Sequence, residues 1–313
     1  MATRALTVSI IFAILVAGAV PLNAELQDPQ VIRVGYSTKV FTGLDLNDVQ
    51  VAVELWARQL AFKRGIRVMP EIVFFKDPDE LGGLVDRERL DMFNMGCIEY
   101  LESKNRIEMD PVLVPVLGRG AYDRYLLLVR RASGISQVAD LIQKHLVVAR
   151  MEKDESVPVL WLESLLHENR LGTRGRFFAT IGSSDRTSPP VLAVLFGKAD
   201  ACLVNGNLFD TMVEMNPQLR TDLVAIAESP PFLASVTCFP PGCDPELREL
   251  VVDGALALHT HPRGQQILAL FGVREIRRFE ESQLAQIAIL LEAHRRRERE
   301  SAVGGVPDVS GNR

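Results

Sequence analysis

Residues 191–217, VLAVLFGKADACLVNGNLFDTMVEMNP, restrict the possible folds more than any other part of the chain. A helix-length apolar run ends at Phe196-Gly197-Lys198, and a short strand follows with Ala199, Cys202, Leu203 and Val204. The polar turn Asn205-Gly206-Asn207 then opens a second helix that ends at Asn216-Pro217, with Asn207 reading as its cap. Helix, strand, polar turn and helix in that order put the turn at the carboxyl end of a strand, where open α/β sheets gather ligands.

The same rhythm runs through the rest of the chain. A strand at 32–35 precedes a helix over 48–63, whose Val49, Val53, Trp56 and Leu60 recur at helical spacing. A strand at 68–75 leads to Asp77-Pro78-Asp79-Glu80. There Asp77 caps a helix, Pro78 takes its first turn and Glu80 reaches back to the cap amide. Leu90 to Met95 forms a third strand, and this β-α-β-α-β order predicts a parallel sheet with helices on both faces. A second set starts with a strand at 125–129 and a helix at 136–143. It continues through strands at 146–149, 177–181 and 223–228 and a helix at 157–169. After Pro230-Pro231 come a strand at 234–239 and three helices at 245–258, 263–271 and 281–299. The expected fold class is α/β, two doubly wound lobes joined by a hinge near 118–123 and 228–232. Residues 25–120 and 230–275 make lobe I, 121–229 lobe II, 276–303 a C-terminal helix and 304–313 a disordered tail.

The amino terminus sets the compartment. One basic residue, Arg4, precedes an apolar run from Ala5 to Val20, and small Ala24 stands before Glu25. Residues 1–24 read as a signal peptide cleaved after Ala24, which sends the protein to the periplasm. Cleavage removes one Arg and no acid, so the formal charge of −5 becomes −6 and no nucleic-acid partner is expected. In that oxidising compartment the Pro-Pro-Gly turn between Cys238 and Cys243 makes this pair the disulfide candidate. Cys97 and Cys202 fall at or in buried strands. The cysteine spacing does not suit zinc and no His lies near the pair, so neither metal nor cofactor is expected. The sequence contains no G-x-S-x-G elbow, H-E-x-x-H helix, Walker loop or dinucleotide glycine fingerprint, and no catalytic residue is assigned. An exported α/β protein with polar strand-end turns and no such constellation points to capture of a small molecule rather than catalysis.

A family resemblance rests on VIRVGYSTKVF, LDMFNMGCIEYLE, YLLLVRRASGISQVADL and VLAVLFGKADACLV with the following MNPQL and LVAIAESP. Over roughly residues 30–275 the chain resembles the phosphate/phosphite/phosphonate-type solute-binding proteins of ABC transporters. The resemblance implies the type II periplasmic-binding-protein fold. It also implies a monomer that captures a small polar ligand, a phosphorus oxyanion among the candidates, and delivers it to a membrane permease. A ligand-sensing periplasmic module that feeds a signalling partner is the alternative. Position by position, the resemblance puts lobe I contacts at Tyr36 and Ser37 after the first strand and at Asn94 and Gly96 after the third. In lobe II it implicates Glu155 and Ser156, then Arg186 and Thr187, and Asn205. Asp154 and Glu155 bring two negative charges to the turn before Pro158, which suits either a helix's first turn or a cationic group on the ligand.

Overall fold

The computed structural model describes residues 30–41, 46–63, 68–87, 89–117, 122–149, 156–184 and 186–304. The expected signal segment, Asp154, Glu155 and the tail beyond Gly304 lie outside the described residues. Lobe I opens with β1 (Gln30–Ser37), α1 (Leu46–Lys63), β2 (Val68–Phe75), α2 (Pro78–Val85), β3 (Met92–Gly96), α3 (Cys97–Ser103) and β4 (Asp110–Leu117). The chain then crosses into lobe II, where β5 (Tyr125–Arg130), β6 (His145–Ala149), α4 (Val157–Glu168) and α5 (Arg174–Phe177) come first. After these come β7 (Thr180–Ser184), α6 (Ser188–Leu195), β8 (Ala201–Asn205), α7 (Gly206–Met215), α8 (Gln218–Asp222) and β9 (Leu223–Glu228). It returns through β10 (Ser235–Phe239), α9 (Pro245–Leu256), α10 (Pro262–Leu270), β11 (Val273–Arg278) and α11 (Ala285–Gly304).

Local chemistry accounts for many of these boundaries. Asp77 caps α2 by accepting the amides of Asp79 and Glu80 at 3.1 and 2.9 Å. Glu80 reaches back to the amide of Lys76 at 2.9 Å, one residue ahead of the expected cap amide. A 3-10 turn at Val138–Leu141 stands where a helix was expected over 136–143. The expected strand at 177–181 is instead α5 followed by β7, because Phe177 buries its ring from the short helix.

Each lobe is built on one mixed sheet. The first has the order β11-β4-β10-β3-β1-β2, with β1 parallel to β2 and β3 but β10 antiparallel to β3 and β4. The second has the order β7-β6-β8-β5-β9, with β6 parallel to β7 and β8 and β5 antiparallel to β8 and β9. In both sheets the strand that arrives from the other lobe runs reversed, β10 in the first and β5 in the second, and in the first sheet the edge strand β11 is reversed as well. The purely parallel sheet expected from the helix–strand alternation is therefore corrected at these crossings. Strands β4 and β11, at positions where no strand was expected, pair antiparallel and complete the first sheet.

Two cores flank the first sheet. One holds Phe93, Met95, Val236 and Cys238, and the other holds Ile32, Val34, Met92 and Phe239. This division overturns the expected disulfide: Cys238 and Cys243 are both free thiols. Cys238 faces the first core from β10, whereas Cys243 packs against the second beyond the Pro-Pro-Gly turn, so the sheet separates them. Burial pushes the Cys243 thiol up to about 11 and the Cys238 thiol higher still. Helix α11 packs against α3 of lobe I and α4 of lobe II. Its Ile287, Leu290 and Leu291, with Leu284 just ahead of it, share one core with Trp161 and Leu166, each such aliphatic burial being worth about 1.5–3 kcal/mol.

Candidate functional site

The two crossings between lobes lie side by side. Asp123 and Phe232 exchange both backbone hydrogen bonds at 2.7 Å, and Ser229 ties to Tyr125 through its amide and its hydroxyl at 2.9 and 2.8 Å. Arg124 braces the crossing through Asp210 and Glu228 at 2.5 and 2.9 Å. Gly206 is required beside it, since a Cβ there would meet Arg124 Cγ at 2.8 Å. Between the lobes, at the strand ends, opens a cavity of about 950 Å³.

The lobe I wall is already hydrogen-bonded to itself. Glu99 sits three residues past Gly96 in α3 and is 5 % exposed. One of its oxygens accepts the Ser37 hydroxyl at 2.9 Å and the Lys39 ammonium at 3.1 Å, and the other accepts the Gly96 amide at 3.0 Å. Asn94 donates its amide to Thr237 Oγ1 at 2.9 Å. Tyr36 borders the cavity, and burial raises its hydroxyl above the ordinary tyrosine range, so it stays neutral at physiological pH.

The lobe II wall differs. Asn205, rather than Asn207, caps α7, accepting the amides of Asn207 and Leu208 at 2.9 and 3.1 Å. Its own amide donates to Asp123 at 2.7 Å. Ser156 and Thr187 hold the cap positions of α4 and α6 and line the cavity, and neither makes a side-chain cap hydrogen bond. Five buried side-chain atoms among the described residues have no hydrogen-bond partner; the two from cavity-lining residues are Ser156 Oγ and Thr187 Oγ1. Thr187 is 8 % exposed. Pro158 follows in α4, and Pro189 and Pro190 in α6, which removes amide donors and leaves more of any ligand contact to the hydroxyls. Helix amino termini of this kind favour anions.

Carboxylates also border the cavity, and each has a partner. Asp123 takes the Asn205 amide, Glu99 takes Lys39, and Glu102 lies 3.5 Å from Arg295. Lys76 stands exposed at the rim. Among the described residues no group of three or more His, Cys, Asp or Glu could hold a metal ion.

The structure thus brings Tyr36, Asn94, Gly96, Ser156, Thr187 and Asn205 to one cavity. Ser37 is buried behind it on Glu99, and Arg186 is exposed outside its lining. Sequence reasoning missed Glu99 and Lys39. The G-x-x-E spacing directly after a strand, at Gly96 and Glu99, was the available signal.

Two α/β lobes, a paired double crossing and a cavity with polar groups at its strand ends define a hinged solute-binding protein. Residues 45–285 match the family described as the periplasmic substrate-binding protein of phosphonate ABC transporters. The fold is shared with a binding protein component of an ABC phosphonate transporter, PA3383 from Pseudomonas aeruginosa. That match has 14% identity and a TM-score of 0.62 and covers 91% of each chain. XAC2383 from Xanthomonas citri, solved bound to ATP, is 18% identical with a TM-score of 0.61 over 85% of this chain and 98% of its own. PhnD1 from Prochlorococcus marinus, solved with methylphosphonate, is 13% identical with a TM-score of 0.61 over 86% and 99%. No curated relative matches the sequence. The chain belongs to the periplasmic substrate-binding proteins of phosphonate ABC transporters, and is the solute-binding component of an importer rather than an enzyme. Its family places it in the periplasm, with a small-molecule ligand and a membrane permease as partners. No described helix is long and apolar enough to cross a membrane.

Proposed function

We propose that the cavity captures a phosphorus oxyanion of the phosphonate class, with the Ser156 and Thr187 hydroxyls as its first donors. The observation that supports this reading is the pair of buried, unpartnered hydroxyls at the starts of α4 and α6. Both helix ends favour negative charge, and an anion that accepts both hydroxyls relieves two unmet hydrogen-bonding groups at once. Tyr36, Asn94 and Gly96 approach from lobe I as the lobes close about the Asp123–Phe232 pairing. Arg186, beside Thr187, biases the local field toward anions, whereas Glu155, next to Ser156 in the chain, suits a cationic group carried by the same ligand. The protein acts as a monomer after cleavage near Ala24.

Calorimetric titration with methylphosphonate, phosphate and sulfate tests this. Hydrogen bonds to a charged group contribute about 1.5–3 kcal/mol, so Ser156→Ala and Thr187→Val should each weaken methylphosphonate binding about 10- to 100-fold. Unchanged affinity in both variants would rule these hydroxyls out as ligand contacts.

A further inference from the structure

The cavity does not end at the polar strand termini. On β3, Met92 and Asn94 are two residues apart and share a face of the sheet, and both line the cavity. From the Asn94–Thr237 pair the lining continues inward between the first sheet and the helices that cover this face. Met92, Leu113 and Ile276 line it from the sheet, and Val53, Ala255 and Leu268 from the helices. Beyond that hydrogen-bonded pair the described side chains of this arm are apolar.

An oxyanion held by Ser156 and Thr187 needs only the polar end of such a space. The whole cavity, at about 950 Å³, lies at the upper end of the range small-molecule sites occupy. A void walled by Leu, Ile, Val and Met forfeits dispersion contacts on every side unless something fills it, and such a space holds water poorly. The chemistry therefore divides along β3, with hydrogen-bonding groups at Asn94 and hydrocarbon at Met92.

We propose that the ligand is an amphiphile, an organic oxyanion whose alkyl or aryl group enters lobe I between the first sheet and helices α1, α9 and α10. This rests on the oxyanion reading and narrows it, since phosphate or methylphosphonate would leave the apolar arm unfilled.

The test is a titration of the exported, processed protein with methyl-, butyl-, hexyl- and octylphosphonate. Each buried methylene contributes about 0.8 kcal/mol, so affinity should rise about fourfold per added carbon until the arm is full. Leu113→Phe and Leu268→Trp, which fill the arm, should flatten that gradient and lower the chain length at which affinity stops rising. If either variant does not fold, the series on the unaltered protein still decides. Methylphosphonate binding with a flat or falling series would overturn the apolar subsite and leave the oxyanion reading standing. Failure of every phosphonate to bind would overturn both.

Discussion

The two walls of the cleft use the same parts and end in opposite states. In lobe I, β3 runs into α3, and the glutamate three residues past the cap folds back to take the amide of Gly96 and the hydroxyl of Ser37. In lobe II the corresponding position is Val159 in α4 and Pro190 in α6, and neither can reach back. The cap amides there meet no carboxylate from the third helical position, Pro190 offers Thr187 no N–H to accept, and the hydroxyls of Ser156 and Thr187 have no partner. One side-chain choice at the third helical position decides whether a helix start closes on itself or waits for an external anion. By this comparison the Glu99 network of lobe I is already paired within the protein, whereas lobe II presents the unpartnered hydroxyls to the same cavity.

Removing Glu99 should break the comparison most severely. Glu99→Ala leaves the Ser37 hydroxyl, the Gly96 amide and the Lys39 ammonium without their acceptor, a loss of about 3 kcal/mol. The lysine adds little of that, because its side chain is 37 % exposed and its charge is screened. Urea unfolding measures the effect, and a loss under about 1 kcal/mol would mean that the lobe I network is not structural. Thr187→Val should act with the opposite sign in the ligand-free protein. It removes a buried hydroxyl with no partner at nearly constant shape, and should stabilise by about 1 kcal/mol. Destabilisation of the ligand-free protein instead would show that this hydroxyl is already satisfied, and the two walls would no longer differ.

Much of this architecture was legible in the sequence, and the gaps have physical causes. Strands β2 and β9 were read to the residue, because apolar runs there end sharply at polar or proline-rich turns. Strand β4 was missed because Pro111 and Pro115 argue against an interior strand. The sheet accommodates Pro111 with a register shift where β4 meets β10, while Pro115 pairs with Ile276 of the edge strand in regular register. Strand β11 was missed because Val273–Arg278 carries three arginines, a composition that suits a sheet edge but not a buried strand. The disulfide reading failed for a different reason. Spacing in sequence cannot say that Cys238 points to one face of a sheet and that the chain beyond the turn packs on the other. For the site, the family resemblance pointed to Asn94, Ser156, Thr187 and Asn205 at strand-end turns, but not to which of their hydrogen bonds the protein already uses. That distinction depends on Glu99, Thr237 and Asp123, which long-range pairing brings in.

The smallest effect is expected where the same back-folding carboxylate is exposed to water. Asp140 takes the Ser136 amide at 2.9 Å, the Gln137 amide at 3.2 Å and the Gln137 side chain at 3.1 Å. The Ser136 amide first, then the Gln137 side chain, hold its carboxyl below the ordinary aspartate range. A lowered folded-state pKa means that the ionised group contributes stability above its unfolded value of about 3.9. That contribution is lost as pH falls through the depressed folded value. Asp140→Asn should therefore lower the thermal midpoint slightly at neutral pH, and the gap from the parent protein should close in acid. Because water solvates the carboxylate in either state, the neutral-pH gap should be far smaller than that of Glu99→Ala. Thermal melts of both variants across the acid range check this. A gap that persists in acid would assign the effect to lost shape rather than charge. A gap as large as the Glu99 variant's would mean that burial is not what separates the two carboxylates.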